Sequence, residues 1–149
     1  MRLFKITYII LFLTLFSCRE DTTDKKIKNY LLDLNRKSYN KMIKNNDELI
    51  IVGYFRDSDK VNNHYKSILN KTAETFKDSI TFAHIDVDKN YKFAKENKIK
   101  CVPTYKFIKN GEILQSLNGT LDSLQLDLAI SEITSVQVKV EPENLYAND

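Results

Sequence analysis

The sequence predicts an α/β domain built on a mixed sheet, and three observations carry that reading. Apolar runs of strand length alternate with stretches of helical periodicity, the pattern of layered α/β domains. One of these runs, Leu49-Ile-Ile-Val-Gly-Tyr-Phe55, contains no charged residue. It is too short for a typical helix and rich in β-branched and aromatic residues, as a strand buried on both faces requires. Further on, Asn110-Gly111 separates two more strand-like runs, and this dipeptide favours the two-residue turn of an antiparallel hairpin.

The elements follow in order. Tyr30 to Leu34 is a short apolar run and reads as a strand. Ser38 precedes Tyr39, Met42 and Ile43 and is placed to cap a short helix. After the Leu49–Phe55 strand, Asp57-Ser58-Asp59 is a helix-start signal. Val61, Tyr65, Ile68, Leu69 and Phe76 then recur at steps near three and four, which predicts an amphipathic helix over 59–77. Ile80 to Val87 is the next strand, and Tyr91 to Asn97 a short helix. Pro103 opens a strand over 104–108, which turns at Asn110-Gly111 into a strand over 112–117. Leu121, Leu124, Leu128, Ile130 and Ile133 mark the last helix, with a tail from Thr134.

The chain has 149 residues, enough for one domain with extensions and for a core that needs no staples. Two cysteines exclude a disulfide framework and a Cys-rich zinc module. The formal charge of +3 falls further without Arg2 and Lys5, so nothing draws the chain toward nucleic acid. No phosphate-binding loop, no Gly-x-Ser-x-Gly and no His-Glu-x-x-His occurs.

The start of the chain reads as a targeting segment. Arg2 and Lys5 precede an apolar run, Ile6 to Phe16, that is too short to span a bilayer comfortably and fits a signal peptide. The run ends Leu15-Phe16-Ser17-Cys18, which resembles a bacterial lipobox. The resemblance implies removal of residues 1–17, lipidation of Cys18 and a polar tether over 18–28. Arg19-Glu20-Asp21 resembles the surface-export signal of lipoproteins from the Bacteroidetes group. The expectation is a cell-envelope protein anchored to inner or outer membrane lipid through Cys18, facing the periplasm or the cell surface.

A second resemblance covers residues 30–133. Ile99-Lys-Cys-Val-Pro-Thr104, then Phe107, Lys109-Asn-Gly-Glu112 and Gly119, resembles the second half of a thioredoxin, and Ile85-Asp-Val-Asp88 its third strand and the acidic turn after it. It implies a thioredoxin-like fold over 29–133, with a mixed central sheet flanked by helices, a cis-Pro loop at Pro103 and a C-terminal tail over 134–149. The family's register places its two active-site cysteines at Asp59 and Asn62, its buried acid at Gly53 and that acid's lysine partner at His84. Dithiol exchange needs an activated thiolate at a helix N-terminus and a second thiol to resolve the mixed disulfide. Neither Asp59 nor Asn62 supplies one, so the reading leans away from an enzyme.

The function expected instead is binding of protein or peptide by a redox-inactive module, as in the non-catalytic domains of protein disulfide isomerases. Asp59, Asn62, Cys101, Val102 and Pro103 are the candidate contacts. Tyr54, Tyr65, Tyr91 and Tyr105 are candidate aromatic walls of the groove. Two alternatives stand beside it. One is a monothiol oxidoreductase or peroxidase-like enzyme using Cys101, and the other a structural partner of a neighbouring redox protein. A Cys101–His64–Asp59 cluster can be drawn, but its spacing matches no metal-ligand motif, and no cofactor or metal is expected. The lysines of Lys89 to Lys109 read as a solvated face.

Overall fold

The computed structural model describes residues 28–44 and 46–138. The expected leader, Cys18, nearly all of the tether and residues 139–149 lie outside the described residues. The elements run β1 (Leu32–Asp33), α1 (Arg36–Lys44), β2 (Leu49–Phe55), α2 (Lys60–Phe76), β3 (Ile80–Asp86), α3 (Tyr91–Glu96), β4 (Thr104–Lys109), β5 (Glu112–Asn118) and α4 (Ser123–Val138). The five strands form one sheet in the order β1-β3-β2-β4-β5. β1 and β2 flank β3 in parallel, while β4 pairs antiparallel with β2 and β5 with β4. The sheet is mixed, as the alternating elements and the terminal hairpin require.

The Leu49–Phe55 run is the central strand and is buried on both sides. Side chains alternate across a strand. Leu49, Ile51 and Phe55 therefore enter one core with Leu69, Tyr105, Phe107 and Leu126, while Ile50, Val52 and Tyr54 enter the other with Tyr39, Ile85 and Phe93. Helices α2 and α4 cover the first face, α1 and α3 the second. At the hairpin, Asn110 (φ 52°) and Gly111 (φ 79°) both take the left-handed conformation that the two-residue turn demands.

Several expectations are corrected. The first strand is only Leu32–Asp33. The first helix is capped by Asn35, not Ser38. The Asn35 Oδ1 accepts from Lys37 N (2.9 Å) and Ser38 N (3.1 Å), while Asn35 N donates back to Ser38 Oγ (2.9 Å), a reciprocal capping box. Asn35→Ala is expected to cost about 1 kcal/mol, read by urea denaturation. Ser38→Ala, which keeps the two bonds accepted by Asn35, is expected to cost less.

The inner face of α2 holds Asn62, Tyr65, Leu69, Ala73 and Phe76, which leaves Val61 59% exposed. The inner face of α4 holds Leu126, Ala129, Ile130 and Ile133, while Leu124 (66%) and Leu128 (60%) face outward. Apolar residues surround α4 on more than one side, so periodicity admits two phasings and packing against α2 chooses between them. The helix also continues to Val138, past the expected end at Ile133. The lysine-rich stretch is not wholly solvated. Lys106 lies inside β4 with its Nζ donating to the Asn97 carbonyl (2.7 Å), and burial, with help from Lys98, pushes its pKa down.

Candidate functional site

The parallel strands β2 and β3 end beside the start of α2 and the loop that leads into β4. That loop carries the expected cis peptide, between Val102 and Pro103. It is held from two sides. Gly119 N donates to the Pro103 carbonyl (2.8 Å), and the Thr104 hydroxyl donates to the Cys101 carbonyl (2.7 Å) beside Asn118 Oδ1 (2.9 Å). Gly119 sits at φ 99°, a conformation that costs glycine little.

At the same end of the sheet, α2 starts in a closed set of hydrogen bonds. Asp59 is the N-cap, its Oδ1 accepting from Val61 N (2.8 Å). Its other oxygen accepts from Asn62 Nδ2 (3.1 Å), and Asn62 Oδ1 accepts from Arg56 N (3.2 Å). Asn62 is buried and engaged at both ends of its amide. The two residues that the resemblance sets against the thioredoxin cysteines are thus bonded to one another, a neutral amide donating to a carboxylate.

Behind the helix start lies a cluster that residue spacing does not reveal. Lys66 Nζ meets Asp57 Oδ1 at 2.8 Å, half-sheltered from solvent. Lys89 lies 3.1 Å from Asp86 and 3.8 Å from Asp57. His84 Nε2 stands 3.6 Å from Asp33 and 3.9 Å from Asp57, beyond hydrogen-bond distance, and its Nδ1 is buried with no partner. Burial and the Lys66 charge push the His84 pKa down against the pull of Asp33, Asp57 and Asp86, which favours the neutral imidazole. His84 pairs in register with Gly53 on β2. A Cβ at Gly53 would stand 2.3 Å from the Phe55 ring and 2.7 Å from Leu69, so the space a side chain would need there is filled by an aromatic ring.

The sign of the pH dependence follows. Because the folded pKa of His84 lies below 6.5, the unfolded chain binds the extra proton first. Stability is then lost as pH falls below about 6.5, with a slope of at most about 1.4 kcal/mol per pH unit for one proton. Asp86 adds to the loss only in stronger acid. Burial raises its pKa, but Lys89 and the backbone N–H of Asp88 outweigh this and hold it below 3.8. His84→Gln is expected to flatten the first part of this profile and leave the second, as measured by urea unfolding across pH.

The candidate contacts separate in the structure. Cys101 is exposed, Val102 half-buried and Pro103 buried. Of the four tyrosines, Tyr54 and Tyr105 are fully buried and cannot wall a groove, and Tyr65 packs against the core. Tyr91 is 68% exposed and lines a cavity of about 340 Å³ with Arg56, Asp88, Lys95 and Cys101. His64 packs edge-on against Tyr65. Among the described residues no cluster of three His, Cys, Asp or Glu side chains is placed to hold a metal ion. A larger groove of about 900 Å³ lies at the opposite end of the sheet, between Leu49, Phe76 and Ile130, away from the cis-Pro loop. Among the described residues no helix is long and apolar enough to cross a membrane.

A mixed five-stranded sheet flanked by helices, with a cis-proline at the sheet end where the long helix starts, defines a thioredoxin-fold domain. Residues 30–132 match the thioredoxin family model, and the chain belongs to the thioredoxin family. It is 30% identical over 105 residues to thioredoxin Y1, chloroplastic, of Arabidopsis thaliana, covering 70% of this chain and 59% of that protein. Thioredoxin Y2 of the same plant is 29% identical over 102 residues, covering 68% and 60%. The chain thus spans about three-fifths of the length of these relatives. Among solved structures it resembles the thioredoxin of Malassezia sympodialis (TM-score 0.62, 20% identity, 70% of this chain and 91% of that one). The thioredoxin of Plasmodium falciparum is similar (TM-score 0.62, 23% identity, 68% and 98%). These two likenesses concern the fold.

Proposed function

We propose that this thioredoxin-family domain does not exchange dithiols and serves as a protein- or peptide-binding module, held at a bacterial membrane through lipidated Cys18. One observation carries the reading: Asp59 and Asn62 occupy the start of α2, at the end of the sheet where the cis-Pro loop enters β4, bonded to each other at 3.1 Å. A carboxylate and an amide can cap a helix and order a loop, but neither can attack a disulfide. The cis-Pro loop and its anchoring bonds are kept, so the face can still receive an extended chain.

The relatives bear the name thioredoxin, so the deciding assay is theirs. With dithiothreitol as donor, insulin reduction is expected to stay at the uncatalysed rate, and robust catalysis overturns the reading. The anchor is tested separately by radiolabelled palmitate, whose incorporation is expected to vanish in Cys18→Ala. A second reading, a monothiol activity, draws on the exposure of Cys101. Alkylation of Cys101 at neutral pH no faster than that of free cysteine removes it.

A further inference from the structure

The cavity beside the cis-Pro loop has an uneven chemistry. Its floor is apolar, built from Val87, Ile99 and Val102, and its rim carries Arg56, Lys95 and Lys100. The anion on this rim is Asp88, and it is already engaged: Oδ1 pairs with Arg56 Nε (3.1 Å) and Oδ2 accepts from Ser58 Oγ (2.9 Å). Lys95 and Lys100 are exposed and have no ion-pair partner among the described residues. Asp59, the N-cap of α2, has both oxygens committed to the helix start. The cavity therefore pairs buried apolar surface with unneutralised positive charge, and complementary charge is what selects a partner at such a surface.

We infer that this cavity takes an acidic–apolar segment of a partner protein: an extended peptide that seats an aliphatic or aromatic side chain on the floor and sets a neighbouring carboxylate against Lys95 and Lys100. The inference rests on the binding-module reading and adds the chemistry of the partner. Tyr91 offers a flat ring at the cavity mouth for the same segment. Cys101 lines the wall and serves as a reporter of occupancy.

The test uses the whole chain in nonionic detergent and three blocked peptides that alternate leucine with glutamate, glutamine or lysine, followed by fluorescence anisotropy. The glutamate peptide is expected to bind at least about tenfold more tightly than the glutamine peptide at low salt. That advantage should shrink at high salt, and the lysine peptide should bind weakest. Bound glutamate peptide is expected to slow alkylation of Cys101. Lys95→Glu with Lys100→Glu, whose fold is checked by circular dichroism, should reverse the order of the glutamate and lysine peptides. Equal binding of the glutamate and glutamine peptides overturns the charge selection while leaving the binding module standing. Binding with no protection of Cys101 overturns the location. Tighter retention on phosphatidylglycerol than on phosphatidylcholine vesicles, which removes the part due to the Cys18 anchor, with no binding of the glutamate peptide, overturns the inference in favour of an anionic lipid surface.

Discussion

Replacing Asp59 and Asn62 together by cysteine is expected to make the start of α2 a working dithiol exchanger. The positions already stand at the N-cap and first turn of α2, at the sheet end that carries the cis-Pro loop. A thiol at residue 59 would take over a helix N-terminus, where the dipole and free N–H groups favour thiolate. A thiol at residue 62, one turn on, would be placed to resolve the mixed disulfide. Insulin reduction by the double variant should exceed that of the parent by at least about tenfold, since the parent offers no resolving pair. Each single variant should remain near background. The reduced double variant should be less stable, because the cap is worth about 1 kcal/mol and the Arg56 N–H loses its acceptor at a cost of roughly 1–3 kcal/mol. Closing the short disulfide loop should return about 2 kcal/mol on oxidation. If mass spectrometry shows the disulfide and insulin is still not reduced, the cis-Pro face does not present substrate to this helix start.

Gly53→Asp, which writes the family's buried acid back into β2, is expected to damage the fold more than any surface change in this domain. The first atom of any side chain at 53 meets the Phe55 ring at 2.3 Å and Leu69 at 2.7 Å. Phe55 and Leu69 are both fully buried, so neither can swing into solvent. Gly53→Ala should therefore cost about 2 kcal/mol through overpacking. Gly53→Asp should cost roughly 5 kcal/mol, because a carboxylate would also be forced into the space held by the Phe55 ring, beside a His84 whose lowered pKa makes it a poor counter-charge. Phe55→Leu opens part of the space, so Gly53→Ala with Phe55→Leu should cost less than the two single changes added, with a coupling of at least about 0.5 kcal/mol. Urea unfolding of the four proteins measures this cycle, and strict additivity would refute the filled-space account.

Much of the frame was legible because it rests on local signals. The Leu49–Phe55 run can be little else than a central strand, Asn110-Gly111 carries its own turn chemistry, and Asp59 announces a helix start. The resemblance around Pro103 located the cis bond and aligned Asp59, Asn62, Gly53 and His84 with a known arrangement. What was not legible depends on contacts distant in sequence. Nothing near Lys106 says that it reaches the Asn97 carbonyl, and nothing near Asp57 says that Lys66 and Lys89 converge on it. Four tyrosines looked equally fit to wall a groove, and only the sheet's two-sided burial separates Tyr54 and Tyr105 from Tyr91. The phase of α4 was ambiguous because leucines occupy both sides, and Ser38 rather than Asn35 looked like the cap because both belong to the reciprocal pair.

The bond between Asp59 and Asn62 also changes what the domain can sense. A dithiol at a helix start has two forms, and the ratio between them follows the electron supply of the compartment. A carboxylate holding an amide at 3.1 Å has no second form of that kind. The helix start therefore presents the same donors and acceptors whether its surroundings are oxidising or reducing. At this pair only shape and charge are on offer, and the clock that electron transfer would provide is absent.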